Sequence, residues 1–164
     1  MAENSLRAAD LDLATLVLLV GEATRTRITD AVHAAGFGDV RPAHGYVVQR
    51  LIEDRPTITG IARDLGITQQ GASKLVVELE ALGYVSREPD PGDSRTRRVV
   101  LTRRGWDCVE AARAARTDLE RNLAERVGAR RLATTRAVLA DLADQLGLSG
   151  PIGRRAVRPT EDSA

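Results

Sequence analysis

Between positions 68 and 74 the chain reads Thr-Gln-Gln-Gly-Ala-Ser-Lys. Gln69, Gln70, Ser73 and Lys74 stand around two of the smallest residues, Gly71 and Ala72. A glutamine amide can pair with adenine through two hydrogen bonds, and a lysine ammonium can reach guanine acceptors or a phosphate. Small neighbours let the backbone come close to a groove. This is the set a helix needs to hydrogen-bond base edges in a major groove. The same residues would also suit an ordinary solvated helix face, so the surrounding elements must decide.

Those elements are legible. Thr68 is placed to cap a helix running to about Leu82. Ala72, Leu75, Val76, Leu79 and Leu82 form its expected buried stripe, while Gln69, Gln70, Ser73, Lys74 and Val77 lie elsewhere. Gly83 closes it. Ahead of it, Thr59 is expected to cap a short helix holding Ile61, Ala62 and Leu65, ended by Gly66. Two helices joined by a glycine-containing turn, the second with a polar leading face, make a helix-turn-helix. Tyr84 to Glu88 then reads as a strand, Pro89 to Ser94 as turn chemistry, and Arg97 to Leu101 as a returning strand. The expected product is a hairpin with a long, arginine-bearing loop, a wing. Arg97 and Arg98 alternate in a strand, so they lie on opposite faces and at most one of them can meet a given partner.

On the N-terminal side, Leu13, Leu16, Val17 and Val20, then Ile28, Ala31, Val32 and Ala35, predict one long amphipathic helix ended at Gly36-Phe37-Gly38. Arg41-Pro42 opens a second helix running towards Arg55-Pro56. On the C-terminal side, Thr102 caps a long helix over roughly 103–127, Gly128 breaks it, and Leu132, Val138, Leu139, Leu142 and Leu146 mark a last helix. The organisation expected is a tail at 1–10, helices for dimerisation and lobe junction at 11–54, a winged lobe at 55–104, dimerisation helices at 105–148, and a disordered tail at 149–164. The fold class is mainly α with a small β-hairpin wing. The terminal helices cannot all bury their apolar faces on a lobe of about 50 residues. They are expected to pack on a second copy of the chain, a monomeric helical bundle being the other arrangement.

Composition narrows the function. Of 164 residues, 43 % are apolar and only 2 % aromatic, which argues against gripping sugars or single strands by stacking. One cysteine, Cys108, leaves no intramolecular disulfide, and two histidines make a zinc site unexpected. No metal and no cofactor is expected. Apolar runs are too short to span a bilayer and no secretory leader is visible, so a cytoplasmic protein away from membranes is the expectation. Net charge is +1, but residues 55–104 carry 9 basic and 6 acidic side chains against 5 and 8 in residues 1–54. A basic patch on a near-neutral chain suits contact with a polyanion over a limited surface. Casting Cys108, His33 and His44 as nucleophile and bases finds no supporting spacing, and no phosphate loop or dinucleotide fingerprint is present. No enzyme is expected.

Three stretches carry a family resemblance. Leu82-Gly83-Tyr84-Val85-Ser86-Arg87 resembles the link from recognition helix to wing in the MarR family of bacterial winged-helix transcriptional regulators. Asp90-Pro91-Gly92-Asp93-Ser94-Arg95, followed by Val99-Val100-Leu101-Thr102-Arg103-Arg104-Gly105, resembles its wing signature. Arg41-Pro42-Ala43-His44-Gly45 resembles the start of the second helix in one branch. With the element order, the resemblance covers about residues 11–147. It implies a homodimeric, ligand-responsive repressor on a pseudo-palindromic duplex operator. Arg95 would enter a narrow minor groove, with Asp93 orienting it by a charge-assisted hydrogen bond. Ser94 stands where many members have a second arginine. Thr68, Gln69, Gln70, Ser73, Lys74 and Arg97 complete the expected DNA contacts. The resemblance also implies a small aromatic or phenolic effector, for which His44, Tyr46 and Trp106 are candidates. The competing reading is a winged-helix module that binds protein or senses a ligand without touching DNA.

Overall fold

A computed structural model describes residues 7–153. Helix α1 spans Leu13–Val32, α2 Pro42–Arg50, α3 Ile58–Leu65 and α4 Gln69–Ala81. Strands β1 (Val85–Asp90) and β2 (Asp93–Leu101) form one antiparallel hairpin. Helices α5 (Arg103–Val127), α6 (Ala129–Gln145) and a short α7 (Ser149–Gly153) follow. The fold is mainly α with a β-hairpin wing, a winged helix-turn-helix flanked by long helices.

Caps set the boundaries. The Asp12 carboxylate accepts the Thr15 backbone N–H at 2.9 Å and starts α1. Helix α1 runs to Val32 and is followed by a wider turn through Phe37, where Gly36 takes φ 99°. Thr68 starts α4 by accepting the Gly71 N–H at 3.0 Å. Thr102 does the same for α5 with the Gly105 N–H at 3.1 Å. Helix α3 corrects the sequence reading: Thr57, not Thr59, is its cap, accepting the Gly60 N–H at 3.1 Å. Two threonines flank Ile58, and the one next to Pro56 keeps the extended backbone a cap requires. Helix α2 stops at Arg50, well short of Pro56, with Leu51 folded inward as its buried C-cap.

The core lies where α2, α3, α4, the hairpin and the start of α5 converge. Val47, Ile61, Leu65, Val76, Leu79, Tyr84 and Val99 are its most enclosed side chains. Of the expected α4 stripe, Ala72, Val76 and Leu79 are buried, while Leu75 and Leu82 pack at its edge. The wing is tied to the lobe by the Val99 N–H, which donates to the Pro56 carbonyl at 2.9 Å. Between α2 and α3, the Arg50 guanidinium meets Asp64 at 2.6 Å on a largely buried seam.

Two expectations about irregular segments change. The wing has no long loop: β1 and β2 are joined by Pro91-Gly92 alone. Pro89 pairs with Arg97, yet the next residue, Asp90, pairs with Asp93. Ser94, Arg95 and Thr96 are therefore extra residues on β2, and the strand bulges there. Proline has no N–H to give the ladder, which favours the break at Pro89. The tails also differ. Residues 1–6 and 154–164 lie outside the described residues. Of the expected tail segments, Ala8–Asp10 forms a 3-10 turn and Ser149–Gly153 is helical rather than disordered.

Candidate nucleic-acid interface

Helix α4 presents the expected set. Its cap Thr68 and first residues Gln69 and Gln70 are exposed, Ser73 is half-buried, and Lys74 is exposed. Val77 continues the same face, 48 % exposed. Together Gln69, Gln70, Ser73, Lys74, Val77 and Glu78 line a shallow hollow on the surface. On the wing the bulge carries the exposed Arg95, and Arg97, also exposed, is the β2 residue paired with Pro89 at the bulge's edge.

Ion pairing separates the basic residues of the lobe. Arg55 pairs with Glu88, Arg63 with Asp64, Arg87 with Glu80, Arg98 with Asp90, Arg103 with Asp107 and Arg104 with Asp39. Lys74, Arg95 and Arg97 enter no ion pair among the described residues. A cation without a carboxylate partner keeps its full attraction for an external anion. Arg98 turns away, donating also to the Arg55 carbonyl at 3.1 Å.

Asp93 acts on the backbone. Its carboxylate accepts the Arg95 backbone N–H at 3.0 Å and the Thr96 hydroxyl at 3.0 Å. The expected bond to the Arg95 guanidinium is not what the carboxylate makes; it shapes the bulge and leaves the guanidinium outward. Asp90 closes the turn beneath, accepting the Gly92 N–H at 2.8 Å and a bond from Arg98. These hold its carboxyl below the usual range, the Gly92 bond most strongly.

Residues 42–96 match a family model described as the MarR family. The matched stretch spans α2, α3, α4, β1 and the start of β2, about a third of the chain. A transcriptional regulator from Thermotoga maritima is 21 % identical, with a TM-score of 0.63 over 82 % of this chain and 93 % of that one. A Staphylococcus aureus MepR variant bound to an oligodeoxyribonucleotide is 21 % identical, TM-score 0.61, over 83 % and 99 %. Escherichia coli MarR in its apo form is 21 % identical, TM-score 0.60, over 80 % and 97 %. At this identity the structures show a shared fold. No curated protein matches the sequence.

The effector candidates separate. A cavity of about 600 Å³ lies between α1, α2 and α5, walled by Ile28, Val32, Tyr46, Val48, Cys108 and Val109, with Arg25, Arg41 and Arg116 also lining it. Tyr46 lines it; His44 and Trp106 do not. Trp106 is partly exposed elsewhere on α5. His44 is buried and fully used: its Nδ1 accepts the Arg41 backbone N–H at 3.2 Å, so its Nε2–H donates to Glu78 at 3.0 Å. That bond, with the Arg41 charge, lowers the Glu78 carboxyl. His44 thus ties the start of α2 to α4. His33 is likewise engaged, its Nε2–H donating to the Val40 carbonyl at 2.9 Å.

Sequence reasoning misses Arg25, Arg41 and Arg116, since nothing local separates a cavity arginine from a surface one. Cys108 lines the cavity too, and burial pushes its thiol up, which disfavours the reactive thiolate.

Proposed function

We propose that this chain is a homodimeric, ligand-responsive repressor that reads a pseudo-palindromic duplex operator. The observation that carries the reading is the distribution of unpaired cations among the described residues. Six of the nine basic residues at 55–104 are spent on carboxylates, and the three others, Lys74, Arg95 and Arg97, sit on the α4 leading face and the wing. In this reading Gln69, Gln70, Ser73 and Lys74 meet base edges and Arg95 enters the adjacent minor groove. Thr68 and Arg97 hold phosphates, and Asp93 sets the bulge. A MepR variant bound to an oligodeoxyribonucleotide shares the fold.

Self-association is supported by apolar side chains with no cover in the single chain. Leu13, Leu18 and Leu19 on α1, Leu123 on α5, and Val138 and Leu139 on α6 are exposed, and no residue of α6 is buried. A dimer would place two reading helices about one helical turn of DNA apart. The cavity between α1, α2 and α5 is the seat for a small aromatic or phenolic effector. It lies between the helices that would hold the dimer and the lobe that would hold DNA.

The test is selection of bound duplexes from a random library, followed by affinity at two salt concentrations and by mass in solution. An enriched inverted repeat, steep salt dependence and a mass of twice the chain are expected. A folded protein that enriches no motif would overturn the reading and favour a protein-binding or ligand-sensing module.

A further inference from the structure

Val77 is the apolar residue on a polar reading face. It is 48 % exposed while Ala72, Val76 and Leu79 of the same helix are fully enclosed. Valine in an exposed helix interior is a poorer helix former than alanine, so the position loses propensity without gaining burial. Its neighbours explain why it does not simply extend the core. Gln70, Ser73, Lys74 and Val77 recur at i, i+3, i+4 and i+7, the spacing with which a helix laid along the major groove meets bases. Around it, the one carboxylate of the hollow, Glu78, is drawn off by Arg41 and His44. The face left for DNA is amide, hydroxyl, ammonium and two valine methyls.

A major groove offers one apolar feature, the C5-methyl of thymine. Resting on the proposed DNA reading, we infer that Val77 is a specificity-determining residue that packs against a thymine methyl in each half-site. Gln70 and Val77 are separated by roughly 10 Å along the helix, which is about three base steps. The thymine read by Val77 therefore lies about three base pairs from the base read by Gln70, towards the C-terminal end of α4. Val77 sets preference there, while Lys74, Arg95 and Arg97 supply charge.

The experiment uses the selected operator and its copies in which uracil replaces thymine at one symmetric position at a time. Uracil pairs as thymine does and lacks only the methyl. For the wild type, one position is expected to cost about fourfold in affinity per half-site, the loss of one buried methyl. In Val77→Ala, which keeps the helix, that position alone should stop distinguishing thymine from uracil. Circular dichroism and melting verify that the variant is folded. If Val77→Ala retains every thymine preference of the wild type, or the wild type has none, the inference is overturned while the DNA reading stands. If no duplex is selected, both fall together.

Discussion

A Cβ placed at position 105 would lie 2.2 Å from the Tyr84 carbonyl oxygen. The same carbonyl accepts the Thr102 N–H at 3.0 Å, so the start of α5 is pressed against the head of β1. Glycine is the side chain that lets this pressing happen. Gly105→Ala is expected to cost about 3 kcal/mol through forced displacement of backbone, read as a fall in Tm. An unchanged Tm would show that α5 can shift freely. Tyr84 is the second such residue. Its ring is buried, its hydroxyl donates to Asp39, and Arg104 lies over the ring at 4.6 Å from the centroid. Burial first, then the Asp39 bond, raise the phenol pKa. A raised folded pKa contributes stability below the unfolded value of about 10 and loses it as pH climbs beyond. Denaturant titrations at pH 9 and pH 11 should therefore show a loss in the wild type that is smaller in Tyr84→Phe. An identical loss in both would remove Tyr84 as its source. Asp39 has the opposite sign: the Tyr84 bond foremost lowers its carboxyl, so its contribution disappears as pH falls below about 4.

At the scale of elements, the wing shows how a local rule and a pairing constraint combine. Strand alternation separates Arg97 from Arg98 in the sequence itself, because it is a property of one chain segment. The bulge at Ser94, Arg95 and Thr96 is hidden there, because register depends on what each strand finds opposite it. Turn-rich Pro89 to Ser94 reads as a loop in isolation. Once Asp90 holds the Gly92 N–H and Asp93 holds the Arg95 N–H, it becomes a tight turn with a knuckle. The reading helix is legible for the opposite reason. Thr68, its apolar stripe and Gly83 are all local signals, and they agree. His44 illustrates the limit: nothing in its own stretch of chain names Glu78, its partner 34 positions away. The knuckle has a consequence for binding. Asp93→Ala removes no positive charge yet frees the backbone that presents Arg95. Operator affinity is expected to fall by about tenfold, the loss of a charge-assisted bond, with the salt slope kept. Arg95→Ala should instead lower the slope by about one per contact. If Asp93→Ala changes nothing, the bulge is rigid without its carboxylate.

For the molecule as a whole, one cavity touches both of the proposed functions, self-association and DNA binding. Its walls come from α1 and α5, whose outer parts are the uncovered apolar surface, and from α2, whose first residues grip the reading helix. Arg41 belongs to both sides, lining the cavity while pairing with Glu78 on α4. A ligand that engages Arg41 competes with Glu78, and a ligand that wedges α1 from α5 alters the spacing of two lobes. Either route converts occupancy into operator affinity only if the ligand prefers one arrangement over the other. Cys108 offers a reporter that works for a ligand of any chemistry. It is the only cysteine in the chain, it lines the cavity, and burial keeps its thiol protonated. A thiol reagent is expected to label the native protein far more slowly than the denatured chain. A compound that fills the cavity should slow labelling further and weaken operator binding over the same concentration range. A compound that weakens operator binding while leaving the Cys108 rate unchanged acts elsewhere, and would remove this cavity from the regulatory path.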